Sequence, residues 1–318
     1  MSILIIINLA SSSGVKISVS MAMEYMRSHY EKSALDMTGQ TFSDVGAEDS
    51  LTPFRSHPLT WSSSVDPLTG QASAASYDYL HERPIATPQT GWNFVAQSRK
   101  WMPAPLAGLL WFGVDDSSTT VRFPIYGSAT RVPASFAGQG AQDGVTPPVM
   151  QFDFRTAFSV FNLVANWAYG RWNLIYPDIY AEITRREENF LKDVAEVDRQ
   201  AVQIAREKGM DAAVEFATAF SERAGNGLVK EWGDFFGQLF VKYRDGYVVT
   251  ENAGNPSCGC SPKNAEYPQA WYDRIASESK GHFLYGGSGG DHVSAMKLAT
   301  LKKKGLEPVN KVKLLARK

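Results

Sequence analysis

Residues Thr90 to Tyr126 read TGWNFVAQSRKWMPAPLAGLLWFGVDDSSTTVRFPIY, and the pattern inside this stretch decides the fold class. Trp92, Phe94 and Ala96 alternate with Asn93, Val95 and Gln97, the period of a strand with two unlike faces. A proline-marked turn follows. Leu109 to Val114 is almost wholly apolar, as expected of a strand covered on both sides, so Trp111 and Phe112 should both be largely buried. Asp115 to Thr120 forms a polar turn, and Val121-Arg122-Phe123 returns as a further strand that Pro124 ends or holds at an edge. Three closely spaced strands on short turns give an antiparallel sheet.

Upstream, Val19, Met23, Met26 and Tyr30 fall on one helical face that Ser18 can cap. Glu24, Arg27 and Ser28 take the other side, where His29 reads as solvated. Leu35 to Leu80 is rich in Ser, Thr, Pro and Gly and reads as a long loop region with short ordered pieces, including a turn at Asp66-Pro67. Downstream, helix takes over from Thr156 to about Arg244. Phe158, Phe161, Leu163, Val164, Trp167 and Tyr169 make a helix apolar around most of its circumference, hence buried. Pro177 interrupts or restarts it. Phe190, Val194, Val197, Ala201 and Ile204 form the next apolar stripe, with Arg185 to Lys192 read as a solvated charged face. Gly209 closes that helix, Asp211 caps its successor, and Gly225-Asn226-Gly227 separates a last member reaching Tyr243. Strands followed by packed helices place the chain in the α+β class.

Composition narrows the function classes. A hydrophobic fraction of 44% supports a sizeable core, and a formal net charge of -1 gives no global argument for nucleic acid or an anionic membrane. Cys258 and Cys260 are too close in sequence for an easy mutual bridge and read as free thiols. The five histidines show no metal-ligand spacing, so no metal or cofactor is expected. Ile3 to Ile7 is too short to span a bilayer and lacks the basic flank of an export signal, which favours a cytoplasmic location. It reads as a short buried strand.

The strand ending Gln97-Ser98-Arg99, the turn, Leu109-Leu110-Trp111-Phe112-Gly113, the polar loop and Phe123-Pro124-Ile125-Tyr126 together resemble the dipeptidase A family. These are cysteine peptidases of the N-terminal-nucleophile class. Ile17 to Met37 and Phe152 to Trp172 resemble the same family in the same order, so the resemblance covers Ile17 to Tyr285. Residues 1–16 are then an atypical N-terminus, and residues 286–318 a Gly-rich linker with a basic tail. The resemblance implies a four-layer αββα sandwich, here incomplete, with one sheet face or edge left exposed and open to homo-oligomerisation.

It also implies cleavage of dipeptides by an N-terminal cysteine whose own amino group carries the proton. No cysteine precedes Cys258. The expectation is therefore the C-terminal part of a family domain, inactive by itself, with a non-catalytic interaction or structural protein as the alternative. Ser2, exposed by removal of Met1, is a weak substitute nucleophile. By the same resemblance Asn93, Gln97 and Arg99 form a substrate-binding row in which Arg99 meets the substrate carboxylate. The competing role for Arg99 is a strand-end ion pair with Asp115 or Asp116.

Overall fold

The computed structural model describes residues 4–6, 17–31, 60–80, 84–137, 152–251, 260–267 and 269–279. Backbone contacts divide the chain into two units, Met1–Val241 and Lys242–Lys318. The first runs β1 (Leu4–Ile6), α1 (Val19–Tyr25), β2 (Thr60–Val65), β3 (Ala72–Leu80), β4 (Trp92–Ser98), β5 (Gly108–Val114) and β6 (Phe123–Tyr126). Three helices follow: α2 (Ala157–Gly170), α3 (Trp172–Lys208) and α4 (Met210–Tyr243), the last ending at the unit boundary. The second unit holds the antiparallel pair β7 (Tyr247–Glu251) and β8 (Cys260–Asn264), then α5 (Gln269–Glu278).

The central sheet has the order β1-β4-β5-β6. β4, β5 and β6 are antiparallel, with Val95 opposite Trp111 and Trp111 opposite Pro124. Pro124 has no N–H to give, and it stands in the edge strand, where none is needed. The apolar run near the N-terminus is a strand as expected, but β1 joins β4 in parallel, Leu4 opposite Phe94.

One face of the sheet carries the core. Val95, Leu109, Trp111 and Tyr126 pack with Ala22, Met23 and Met26 of α1, with Val194, Val197 and Ala201 of α3, and with Ala213 and Ala217 of α4. The other face is only partly covered. Trp92 stacks on Phe94 and Phe112 yet stays 42% exposed, and Phe112 is less buried than Trp111 on the opposite face. The strand is apolar on both sides, but only one side is fully sealed by helices.

Local sequence explains most boundaries. Ser18 Oγ accepts from the Met21 N–H and starts α1 as expected. The segment read as loop contains a hairpin instead: β2 and β3 pair antiparallel, and Asp66 Oδ1 takes the Leu68 and Thr69 N–H groups at 2.8 and 2.9 Å to close the turn. Residues 35–59 lie outside the described residues. The break expected at Pro177 falls earlier, at Arg171 (φ -153°, ψ 70°), and Pro177 sits inside α3, near its start. Gly209, at φ 93°, ends α3 as its sequence requires. Gly225-Asn226-Gly227 does not separate two helices but lies within α4. A Cβ on Gly225 would stand 2.5 Å from Pro133 and 2.9 Å from Phe123, so this glycine lets the helix approach β6.

Candidate functional site

The polar loop after β5 is the chemical centre of the first unit, because it is buried. Asp115, Asp116, Ser117, Ser118, Thr119 and Thr120 are each at most 3% exposed. Loops normally stay on the surface because buried backbone must find partners. This one finds them at three helices. Just past the end of α1, Met26 O accepts from Ser117 Oγ at 2.7 Å, and Arg27 Nη2 donates to Thr120 O at 3.3 Å. From α2, Tyr169 donates its hydroxyl to Asp116 Oδ2, and Asn162 Nδ2 donates to Asp115 Oδ1 at 3.2 Å. From α3, Tyr176 donates to Ser118 O at 3.3 Å.

Under the loop lies a charged triad. Glu187 Oε1 accepts from Arg27 Nη2 at 2.6 Å and from the Arg122 N–H at 2.9 Å, with Arg122 Nη1 at 3.8 Å. Arg122 is fully buried, and desolvation together with the Arg27 charge pulls its guanidinium down to about 9. Burial and the neighbouring Asp116 push the Asp115 carboxyl up to about 7. Asp115 also adopts φ 66°, a left-handed conformation uncommon outside glycine. Its Oδ2 has no partner among the described residues, and neither does Asn93 Oδ1, although Asn93 Nδ2 donates to Asp115 O at 3.2 Å.

Several expectations change here. His29 was read as solvated but is buried, edge-on to Trp172 at 5.8 Å, and Arg27, placed on the polar side of its helix, is buried as well. Arg186 and Glu187 were read as part of a solvated face, yet both are buried. Arg99 does end a strand and is only 2% exposed, but its carboxylate is Asp198 of α3, not Asp115 or Asp116. Its remaining donors reach Leu106 O and Ala107 O, and its guanidinium lies 5.4 Å from the Tyr126 ring centre. Gln97 Oε1 accepts from Trp111 Nε1 at 3.1 Å. Asn93, Gln97 and Arg99 thus share the core-facing side of β4, with Asn93 at the polar loop and Arg99 at the opposite end of the strand. Ser2 and Cys258 lie outside the described residues.

An open cavity of about 360 Å³ adjoins the triad, its wall including Arg27, Tyr176 and Tyr180. A larger cleft of about 720 Å³ lies between α4 and the residues that lead into α2, where Arg155 pairs with Asp153 and Lys230 with Asp234. Among the described residues no three His, Cys, Asp or Glu side chains gather as a metal would require, and no helix is long and apolar enough to cross a membrane.

The strand–loop–strand block, the capped helix before it, α2 and the start of α3 all fall in one alignment. The profile of peptidase family C69, the dipeptidase A family, matches residues 6–184. The chain belongs to that family. No curated protein matches it. The match runs from the end of β1 into the first turns of α3, so α1, β2 to β6, the buried loop and α2 of this peptidase-family protein lie within the matched region, while Glu187 and α4 lie beyond it.

Proposed function

We propose that this peptidase-family chain binds dipeptides, the substrates that full-length members of its family cleave, at the end of the central sheet where β4 meets the buried loop. The observation that carries the reading is the pair of unsatisfied acceptors there, Asn93 Oδ1 and Asp115 Oδ2, inside a family of peptide hydrolases. Buried acceptors without partners are rare, and a peptide supplies the N–H and ammonium donors they lack. Asn93 is the member of the Asn93–Gln97–Arg99 row whose side chain retains an open acceptor. Gln97 and Arg99 hold the strand in place through Trp111 and Asp198. Attack on the scissile carbonyl follows the family's chemistry, a thiolate nucleophile with an amino group as base.

The 318-residue sequence offers no cysteine before Cys258, so this chain alone should release no amino acid from a dipeptide panel above a buffer control. Turnover that vanishes in Ser2→Ala would overturn that and make the Ser2 hydroxyl the nucleophile. The dipeptide preference itself is tested in a family member bearing an N-terminal cysteine. Dipeptides should be cleaved far faster than tetrapeptides there, and equal rates would sink the reading. A non-catalytic interaction role is the second reading, favoured by the incompletely covered sheet face at Trp92, Phe94 and Phe112.

A further inference from the structure

Two arginines compete for the role of substrate counter-ion, and their donors decide between them. Every guanidinium nitrogen of Arg99 has an acceptor: Nη1 is on Asp198, Nη2 on Leu106 O and Nε on Ala107 O. Arg27 is equally buried, at 4% exposure, but its accounting does not close. Its Nη2 serves Glu187 and Thr120 O, its Nη1 stands 3.8 Å from Glu24, beyond a hydrogen bond, and its Nε has no acceptor among the described residues. A buried donor left unmade costs free energy, and Nη1, with no acceptor within hydrogen-bond distance among the described residues, can give a single charge-assisted contact to a carboxylate. Arg27 also lines the cavity of about 360 Å³ between α1 and α3.

The rest of that wall is chemically specific. Tyr25 and Tyr180 are exposed, and Tyr176 is braced by Trp172, with ring centres 4.1 Å apart. Glu24 and Glu31 stand at the same cavity with half-exposed side chains, Glu24 accepting from the Tyr180 hydroxyl. A buried cation with open donors, flanked by carboxylates and tyrosines, rejects a large polyanion. It suits a small zwitterion: carboxylate toward Arg27, ammonium toward Glu24 and Glu31, apolar side chain along the tyrosines. The volume lies at the small end of the roughly 300–1,000 Å³ range of ligand sites.

We propose that this cavity binds an amino acid or dipeptide by its free α-carboxylate, with Arg27 as the counter-ion. The inference rests on the dipeptide reading above and replaces Arg99 by Arg27 as the group that reads the peptide's C-terminus. It requires no bond making at Arg27, only pairing. The site's outer wall comes from α1 and α3, whereas Asn93 and Asp115 act from the other side of the loop.

The test titrates the intact chain with phenylalanine, alanyl-phenylalanine, the C-terminal amide of that dipeptide, and a phenylalanine-containing tetrapeptide. Heteronuclear NMR reads the shifts, and amino-acid analysis afterwards confirms that each ligand survived. The free-acid dipeptide should bind with millimolar or better affinity and shift signals of Tyr176 and Tyr180. Its amide should bind about tenfold more weakly, the factor expected for one charge-assisted contact. Tyr180→Leu, a change at a partly exposed side chain, should weaken the acid about fivefold by removing an aromatic wall. Tighter binding by the dipeptide assigns a substrate site, and tighter binding by phenylalanine a product site; both support the proposal. Equal affinity for acid and amide, equal affinity for the tetrapeptide, or shifts remote from Tyr176 and Tyr180 would overturn it. The two readings fail separately. If a family member with an N-terminal cysteine cleaves dipeptides at a rate indifferent to the residue matching Arg27, this site falls and the dipeptidase reading stands. Selective binding here beside no dipeptide cleavage in such a member gives the reverse.

Discussion

The two ends of the central sheet solve the same problem differently. At one end Arg99, Asp198 and Tyr126 form a closed set: each guanidinium nitrogen has an acceptor, and Tyr126 donates to Asp198 at 2.6 Å. At the other end two arginines share one carboxylate, Glu187, and an aspartate, an asparagine and both arginines keep unpaired atoms. The first end can be explained as architecture alone. The second carries more polar surface than its own contacts satisfy, and that surplus separates a binding site from a buried ion pair.

The largest effect should come from removing the shared carboxylate. Glu187→Gln keeps the shape but strands two buried cations, which should cost about 3–5 kcal/mol in urea unfolding. Asp198→Asn at the closed end leaves Arg99 its two carbonyl partners and should cost less, about 1–3 kcal/mol. A larger loss at Asp198 than at Glu187 would break the comparison, because the closed end would then be the more heavily stressed.

The pH dependence sharpens it. Asp115 has its carboxyl raised to about 7 in the folded protein, from 3.8 without the fold. Below the lower value both states hold the proton and nothing is lost. Between the two values the unfolded chain releases a proton that the folded one keeps, so stability falls as pH rises, and it levels off above the folded value. Integrated, the loss is on the order of 4 kcal/mol. Asp115→Asn has no charge to bury and tolerates a positive φ, so its unfolding midpoint should stay nearly flat from pH 4 to 8 and exceed that of the parent at pH 8. Parallel pH profiles for the two proteins would remove Asp115 from the strained end.

Much of this was legible in sequence, and the parts that were not share one cause. Strand alternation from Trp92, the apolar run before Val114, the Ser18 cap and Gly209 announce themselves locally, and each stands where its chemistry places it. The buried polar site does not, because DDSSTT between two strands is also what a surface turn looks like. A signal was nevertheless present in α3. Ile179, Ile183, Phe190 and Val194 mark its inner stripe, and the step that should supply another apolar residue supplies Arg186 and Glu187. Charges at a core position of an otherwise apolar stripe call for partners, which only the tertiary fold names: Arg27 and Arg122 for Glu187, Glu182 and Glu231 for Arg186. Arg99 failed in the same way. Its nearest acids in sequence were Asp115 and Asp116, but its partner is Asp198, on a helix far along the chain.

The smallest expected effect is the most discriminating. Tyr126→Phe removes one hydroxyl, which donates to Asp198 at 2.6 Å, and leaves the buried ring in place beside Arg99. Asp198 retains its ion pair, so the loss should be about 1 kcal/mol in chemical unfolding. Because the closed end is structural, dipeptide affinity should not change. Ser18→Ala gives the matching perturbation at the other end. It should cost a similar amount, about 1 kcal/mol, by unpinning the first turn of α1. Since α1 leads directly to Arg27, that variant should also weaken dipeptide binding. Two variants of equal stability cost and unequal affinity would confirm that the open end holds the ligand. If Tyr126→Phe instead weakened binding and Ser18→Ala did not, Arg99 would be the group that reads the substrate.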